Sequence, residues 1–322
     1  MMASNGNGNG TIHWRGIKLR TVPMPTDNAS VFGTQLSQLA FVLEASVAPN
    51  YHRLFGTLAA RVGHDADDEQ QVTAAGDEAV HQPRQQLHHG SIGKNMVVRF
   101  LIADPSPQGE ADNVQQQMNE EQKKHGDLLL FRGFVDKYMN LHFKSYGGFV
   151  WQQRHCANAK WMLKMDDDTV IHLPRMAHWI ENKFRHIATK HPLLFVGVAG
   201  HRAPVRDPNG PYKKWYVIHE MYAPEMYPPF VVGGGYMATT ETVKAILAQT
   251  HKIKVLYLED VMYTGILAEL ANATSEHEVG QFWHSKTLKC VDGVPTLFAV
   301  FAAKNQAEIE QNFEELKKMS CK

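Results

Sequence analysis

The stretch Trp161-Met-Leu-Lys-Met-Asp-Asp-Asp168 runs from an apolar segment straight into three adjacent carboxylates. Trp161 to Met165 has the length and apolar character of a buried strand. Behind the carboxylates, Leu173, Met176, Ala177, Ile180, Phe184, Ile187 and Ala188 form one apolar stripe at helical spacing, with Pro174 suited to a first turn. Strand, acidic turn and amphipathic helix make one unit of an α/β sheet. Outward from it, Met96 to Ala103 and Leu193 to Gly197 read as strands, as does the run Asp127 to Phe131. Residues 110–125 read as a polar helix, and 136–158 as a helix broken or kinked at Gly147-Gly148. Residues 36–47 hold a further candidate strand. Ile309, Phe313 and Leu316 mark a closing helix over 305–319. This alternation predicts an α/β fold: a mixed, mostly parallel sheet with helices on both faces.

Residues 1–35, rich in Asn, Gly, Thr and Pro near the start, read as a loose arm, and 36–322 as one domain. Residues 64–92 carry many acids, Gln and His but few large apolar side chains, so they read as a disordered insertion. Their histidines suggest either metal binding or a solvated linker, and the linker is the better reading. Lys+Arg and Asp+Glu are both 33, so nothing favours holding nucleic acid by a basic excess. Cys156, Cys290 and Cys321 allow one bridge at most. The most apolar early run, Leu39 to Leu43, is stopped by Glu44 and is far short of a span. The start lacks the basic and apolar regions of a signal peptide, so the chain taken literally is soluble. Sequons at Asn9, Asn28 and Asn272 hint weakly at a secretory lumen.

Ligands of open α/β sheets bind at the carboxyl ends of strands, where Asp166-Asp167-Asp168 stands. Adjacent carboxylates need compensation. A hard divalent cation, Mn²⁺ or Mg²⁺, takes oxygen ligands and keeps open positions for substrate phosphates. A solvated acidic turn is the alternative.

Six blocks then stand in register. They are His125-Gly-Asp-Leu-Leu-Leu-Phe131 with Phe134-Val-Asp-Lys-Tyr-Met-Asn-Leu141 and Lys144; Trp151 with Cys156-Ala-Asn-Ala-Lys160; Leu163-Lys-Met-Asp-Asp-Asp-Thr-Val170; Lys214-Trp-Tyr-Val217; Tyr227-Pro-Pro-Phe230 with Gly233-Gly-Gly-Tyr236; and Glu259-Asp-Val261 with Gly265. Together they resemble the inverting β-1,3-glycosyltransferases of family 31, the galactosyltransferase family, over roughly residues 95–270. The resemblance implies a GT-A-type, Rossmann-like fold and Mn²⁺-dependent, inverting transfer of a hexose from a UDP-sugar to a glycan hydroxyl. It also implies the lumenal side of the Golgi membrane, with an N-terminal anchor of which this chain shows no trace, and a glycoprotein or glycolipid acceptor.

Residue by residue, the resemblance makes Asp168 the metal ligand, with Asp166 orienting the donor ribose or the metal's waters. Asp167 does either or only fixes the turn. Asp260 matches the base that takes the acceptor proton, with Glu259 as the neighbouring alternative; inversion needs such a base opposite the leaving diphosphate. His284 resembles a late metal-binding His or is an ordinary core-edge His. Lys164 pairs with the carboxylates or with the diphosphate. Gly233, Gly234 and Gly235 let backbone approach a sugar or phosphate, or make a tight turn. Trp215, Tyr216, Tyr236 and Phe230 offer faces to a sugar or pack. Cys156 matches a cysteine that is often bridged, with Cys290 as its partner here. The family's opening arginine motif is not matched: only Arg53 and Arg61 stand near, without its Trp or its spacing.

Two other readings compete with this one. Asp166-Asp167-Asp168-Thr169-Val170 also fits a haloacid-dehalogenase-like phosphatase, though that motif normally opens its domain. A degenerate relative that only binds a glycan or a protein partner is the third.

Overall fold

The computed structural model describes residues 11–14, 17–21, 39–44, 96–105, 111–278 and 289–321. Nine strands form one sheet. They are β1 (Thr11–Trp14), β2 (Ile17–Thr21), β3 (Leu39–Glu44), β4 (Met96–Asp104), β5 (Leu128–Val135), β6 (Trp161–Asp166), β8 (Leu194–Gly200), β9 (Phe230–Thr239) and β10 (Thr274–His277). Their order is β1-β2-β5-β4-β3-β6-β9-β8-β10. β5, β4, β3 and β6 run parallel, as do β8 and β10. β9 lies antiparallel between β6 and β8.

The central strands are buried on both faces, which is why they read as continuous apolar runs. Met162, Leu129 and Phe131 face one core with Phe149, Phe195, Tyr236 and Tyr263. Their alternates Leu163, Leu128 and Leu130 face a second core with Met118, Met176 and Phe184. Helix α1 (Ala111–His125) and helix α3 (Leu173–Trp179) contribute to the second core. Helix α2 (Leu141–His155) supplies Phe149 and Trp151 to the first. Helix α5 (Thr240–Gln249) adds Val243 and Ile246 there, and helix α6 (Leu267–Leu270) adds Leu267 and Ala268. Helices therefore cover both faces, as expected.

Several expectations are corrected. The sheet is mixed, as expected, but not mostly parallel in its pairings, which divide evenly because β9 and the β1–β2 hairpin run against their neighbours. Within the supposed loose arm, β1 and β2 pair, and β2 pairs β5. The helix after residue 136 begins only at Leu141, behind a 3-10 turn (Tyr138–Asn140), and runs unbroken through Gly147-Gly148. Gly147 is there for close packing, since a Cβ would strike the Phe131 ring. The helix after the acidic turn contains a π-helical turn (Ile180–Phe184) before α4 (Arg185–Lys190). The 64–92 insertion lies outside the described residues.

A third cluster joins Val170 of β7 (Val170–Ile171) to Leu297, Val300, Ile309, Phe313 and Leu316. The last three belong to helix α7 (Gln306–Lys318), whose N-cap Asn305 side chain accepts the Glu308 N–H at 3.0 Å. The disulfide is Cys290–Cys321, not Cys156–Cys290. Cys156 is a free, buried thiol at the end of α2, and burial pushes it up to about 11. Cys290 lies in exposed strand β11 (Cys290–Val291), which pairs with β12 (Val294–Pro295).

Candidate functional site

At the carboxyl end of β6, Lys164 is fully buried while Asp166, Asp167 and Asp168 are half-buried. The turn is fixed from several sides. The Thr169 N–H donates to Asp166 O at 3.2 Å, and the Thr169 hydroxyl donates to Gly234 O at 2.7 Å. The Ala303 N–H donates to Asp168 O at 3.0 Å.

A cleft of about 540 Å³ opens over this turn. Lys164, Asp166, Asp168, Trp215, Gly233, Gly234, Glu259 and Asp260 all line it. Residues 92 positions apart in the chain, Asp168 and Asp260, thus share one concavity.

Lys164 is the hub of its charges. Its Nζ donates to Asp166 Oδ1 at 2.7 Å and to Gly233 O at 2.8 Å, and stands 3.4 Å from Glu259 Oε2. Glu259 is buried and accepts the Tyr236 hydroxyl at 2.6 Å. Asp260 begins the π-helical turn Val261–Ile266; its Oδ1 accepts the Val261 N–H at 2.8 Å and its Oδ2 the Gly233 N–H at 3.1 Å.

Burial raises the Asp168 carboxyl to about 6, helped by the charges of Asp166 and Asp167; Lys164 and a backbone bond from Ala302 oppose the rise. Burial likewise raises Asp260, against the N–H groups of Val261 and Gly233 and the charge of Lys164. Burial also raises the Tyr138 phenol, and Lys214 Nζ stands 4.4 Å from its ring centre.

Not every expected residue meets the cleft. Tyr236 is a core side chain with no exposed surface, so it offers no face to a sugar. Its ring packs on Phe195 and its hydroxyl is held by Glu259. Tyr216 is half-buried beside the cleft, and its carbonyl accepts the Tyr257 hydroxyl at 2.6 Å. Gly233, Gly234 and Gly235 form no tight turn; they lie inside β9. A Cβ at 233 would crowd Asp260, and one at 234 or 235 would crowd Phe301. Asp167 occupies the turn without lining the cleft. His284 lies outside the described residues.

Sequence reasoning missed Tyr138, Lys214 and Tyr227 as lining residues, although each sits inside one of the six blocks. Arg202, Tyr212, Phe301 and Ala302 also line the cleft and carried no spacing signal.

Among the described residues, no three His, Cys, Asp or Glu side chains are placed to cage one metal ion. Asp166 and Asp168, two carboxylates on an open cleft, could hold a hard cation that completes its shell with water and substrate oxygens.

A family model described as Galactosyltransferase matches residues 83–279, over half of the chain. The chain belongs to the galactosyltransferase family. This galactosyltransferase-family chain is 31% identical over 179 residues to the human N-acetyllactosaminide beta-1,3-N-acetylglucosaminyltransferase 3, covering 55% of this chain and 45% of that protein. It is 29% identical over 184 residues to human Beta-1,3-galactosyltransferase 5, covering 57% of this chain and 55% of that protein. It is 30% identical over 157 residues to mouse Beta-1,3-galactosyltransferase 1, covering 48% of this chain and 46% of that protein. The chain spans about half the length of the curated relatives it matches.

Proposed function

We propose that this family member is a glycosyltransferase that moves a hexose, galactose or an N-acetylhexosamine, from a UDP-sugar to a hydroxyl of a glycan on a glycoprotein or glycolipid. The reaction inverts the anomeric carbon and forms a β-1,3 linkage. The observation that carries this reading is the meeting of Asp168 and Asp260 in one cleft, with Lys164 buried between their elements. The sheet, in which β9 runs against aligned neighbours, supports a GT-A-type fold.

Asp168 and Asp166 would hold the cation, with His284 carried over from the resemblance. Mn²⁺ or Mg²⁺, when bound, neutralises charge on the leaving diphosphate. Lys164 orients Asp166 through its 2.7 Å bond and adds positive charge beneath the site. Asp260 takes the acceptor hydroxyl's proton. Its two oxygens each accept one N–H, which fixes the carboxylate and leaves each oxygen a second lone pair. Burial lifts its proton affinity towards the range useful to a base. Glu259 is tied to Lys164 and Tyr236 and serves as a positioning residue, not as the base. Trp215, 38% exposed on the cleft, offers its ring to a sugar.

Among the described residues no helix is long and apolar enough to cross a membrane. The lumenal side of the Golgi membrane is part of this reading and rests on the family.

Calorimetry with UDP, with and without Mn²⁺, tests the reading, followed by a UDP-sugar screen read by UDP release. Metal-dependent UDP binding and release from one sugar are expected. No such binding would favour a non-catalytic relative that binds glycan or protein. Hydrolysis of p-nitrophenyl phosphate alone would favour the phosphatase.

A further inference from the structure

The family match ends at residue 279, yet Phe301 and Ala302 line the cleft. The chain beyond the match returns to the acidic turn and is fastened there at several points. β13 (Ala299–Val300) pairs antiparallel with β7, Val300 opposite Val170 and Ala299 opposite Ile171. The His172 N–H donates to Phe298 O at 2.7 Å. The Ala303 N–H donates to Asp168 O.

Ala302 between them holds φ 55, a left-handed conformation unfavourable for a residue with a Cβ. Such backbone persists only where its surroundings over-determine it, commonly at sites. Phe301 fills the trough above the strand glycines: a Cβ at Gly234 would lie 3.0 Å from its Cγ, and one at Gly235 3.0 Å from its Cε1.

Arg175, in the first turns of α3, gathers this segment. It is buried. Its Nη1 donates to Leu297 O at 2.7 Å, and its Nη2 donates to Leu316 O at 2.9 Å and to Met319 O at 3.1 Å. One guanidinium thus binds the start of the returning segment and the end of α7. Trp179, one turn on, donates its Nε1–H to Pro295 O at 2.9 Å. The Cys290–Cys321 bridge closes the same loop covalently.

We infer that Arg175 is a positioning residue that clamps residues 297–303 against the acidic turn, and that this returning segment, through Phe301 and Ala303, sets the place of Asp168. The inference rests on the reading of Asp168 as the cation's ligand, but its first test does not. Amide hydrogen exchange is followed in Arg175→Met and Phe301→Ala, read in peptides covering 166–172, 297–303 and β4. In Arg175→Met both 297–303 and 166–172 exchange faster while β4 keeps its protection. Phe301→Ala frees the trough without touching the guanidinium, and speeds exchange in 166–172. Faster exchange in 297–303 with 166–172 unchanged in both variants would overturn the inference. If Arg175→Met does not fold, Phe301→Ala and Arg175→Lys decide the question. The lysine keeps the charge but loses the fork, and gives an intermediate response.

The second readout is Mn²⁺ affinity without donor, by electron paramagnetic resonance. It falls by about 10-fold or more, the usual cost of losing a residue that orients a ligand. Unchanged affinity alongside faster exchange at 166–172 counts against the placement of Asp168 by this segment. Absence of Mn²⁺ and UDP binding in the parent protein sinks the proposed function and leaves the exchange result to decide the clamp.

Discussion

Gly233 donates its backbone N–H to Asp260 Oδ2 at 3.1 Å, and a Cβ built at 233 would stand 3.2 Å from the Asp260 Cβ. A strand interior and a helix start, 27 residues apart, are in contact through the one side chain the proposed reaction needs as a base. Gly233→Ala forces Asp260 to shift by a few tenths of an ångström. UDP binding should survive while transfer falls by about 10²-fold, the lower end of what a positioned base contributes. Asp260→Asn should lose transfer by about 10²–10⁴-fold with UDP binding retained. Calorimetry beside initial rates separates the two quantities; transfer at the parental rate in Asp260→Asn removes the base assignment.

Asp168 illustrates what its proposed role would cost in stability. Its carboxyl is raised from 3.8 to about 6, so the folded metal-free protein holds this proton more tightly than the unfolded chain does. The favourable contribution is full below pH about 4 and is lost as pH rises through about 6. Asp168→Asn should therefore raise the metal-free melting temperature at about pH 7.5 and change it little at about pH 4, while abolishing Mn²⁺-dependent UDP binding. Scanning calorimetry at the two pH values checks the sign. A lower melting temperature at the higher pH contradicts it.

Lys164 is buried against Asp166, Glu259 and the Gly233 carbonyl. Removing one partner of a buried ion pair strands the other, at about 3–5 kcal/mol. Lys164→Met should show that loss in urea unfolding. Adding Glu259→Gln should recover part of it, because the stranded carboxylate is then neutral. Additive losses in the double variant would show that the two do not interact.

Tyr236→Phe tests whether that ring belongs to the core. It deletes the 2.6 Å bond to Glu259, worth about 1.5–3 kcal/mol for a hydroxyl on a charged acceptor. The ring has no exposed surface, so acceptor KM should stay near parental while stability drops. Trp215→Ala should do the reverse. An acceptor KM that moves with Tyr236→Phe and not with Trp215→Ala contradicts the placement.

Opening Cys290–Cys321 removes a crosslink over a separation of 31 residues, worth about 3–4 kcal/mol by loop-closure arguments. Reduction should lower the thermal midpoint. Native alkylation before reduction should spare buried Cys156, with its raised thiol. Rapid native labelling of Cys156 would count against its burial.

Strand and helix content was legible because burial imposes a period on side chains. Met162 and Leu163 alternate between two cores, and the stripe from Leu173 to Ala188 faces one of them. The acidic turn was legible because three carboxylates after an apolar strand have few structural reasons to exist. The role of Gly147 was not, since its need arises from the Phe131 ring on another element. The same holds for the strand glycines, whose neighbours Asp260 and Phe301 are distant in sequence. Cys290 pairs with Cys321 rather than with Cys156, the partner the resemblance implied, because cysteine pairing depends on which ends meet in space.

By itself the sequence determined the α/β class and the strand that ends in Asp166, because local periodicity and residue chemistry are properties of neighbours along the chain; the stretch around Asp260 stood out only through its resemblance to the galactosyltransferase family. Tertiary structure alone decided that Asp168 and Asp260 share a cleft, that Tyr236 turns inward to Glu259, and that a segment beyond residue 296 closes the acidic turn. Those contacts join elements separated by tens of residues. Which of them form is set by packing the whole sheet, where no short window of sequence holds the information.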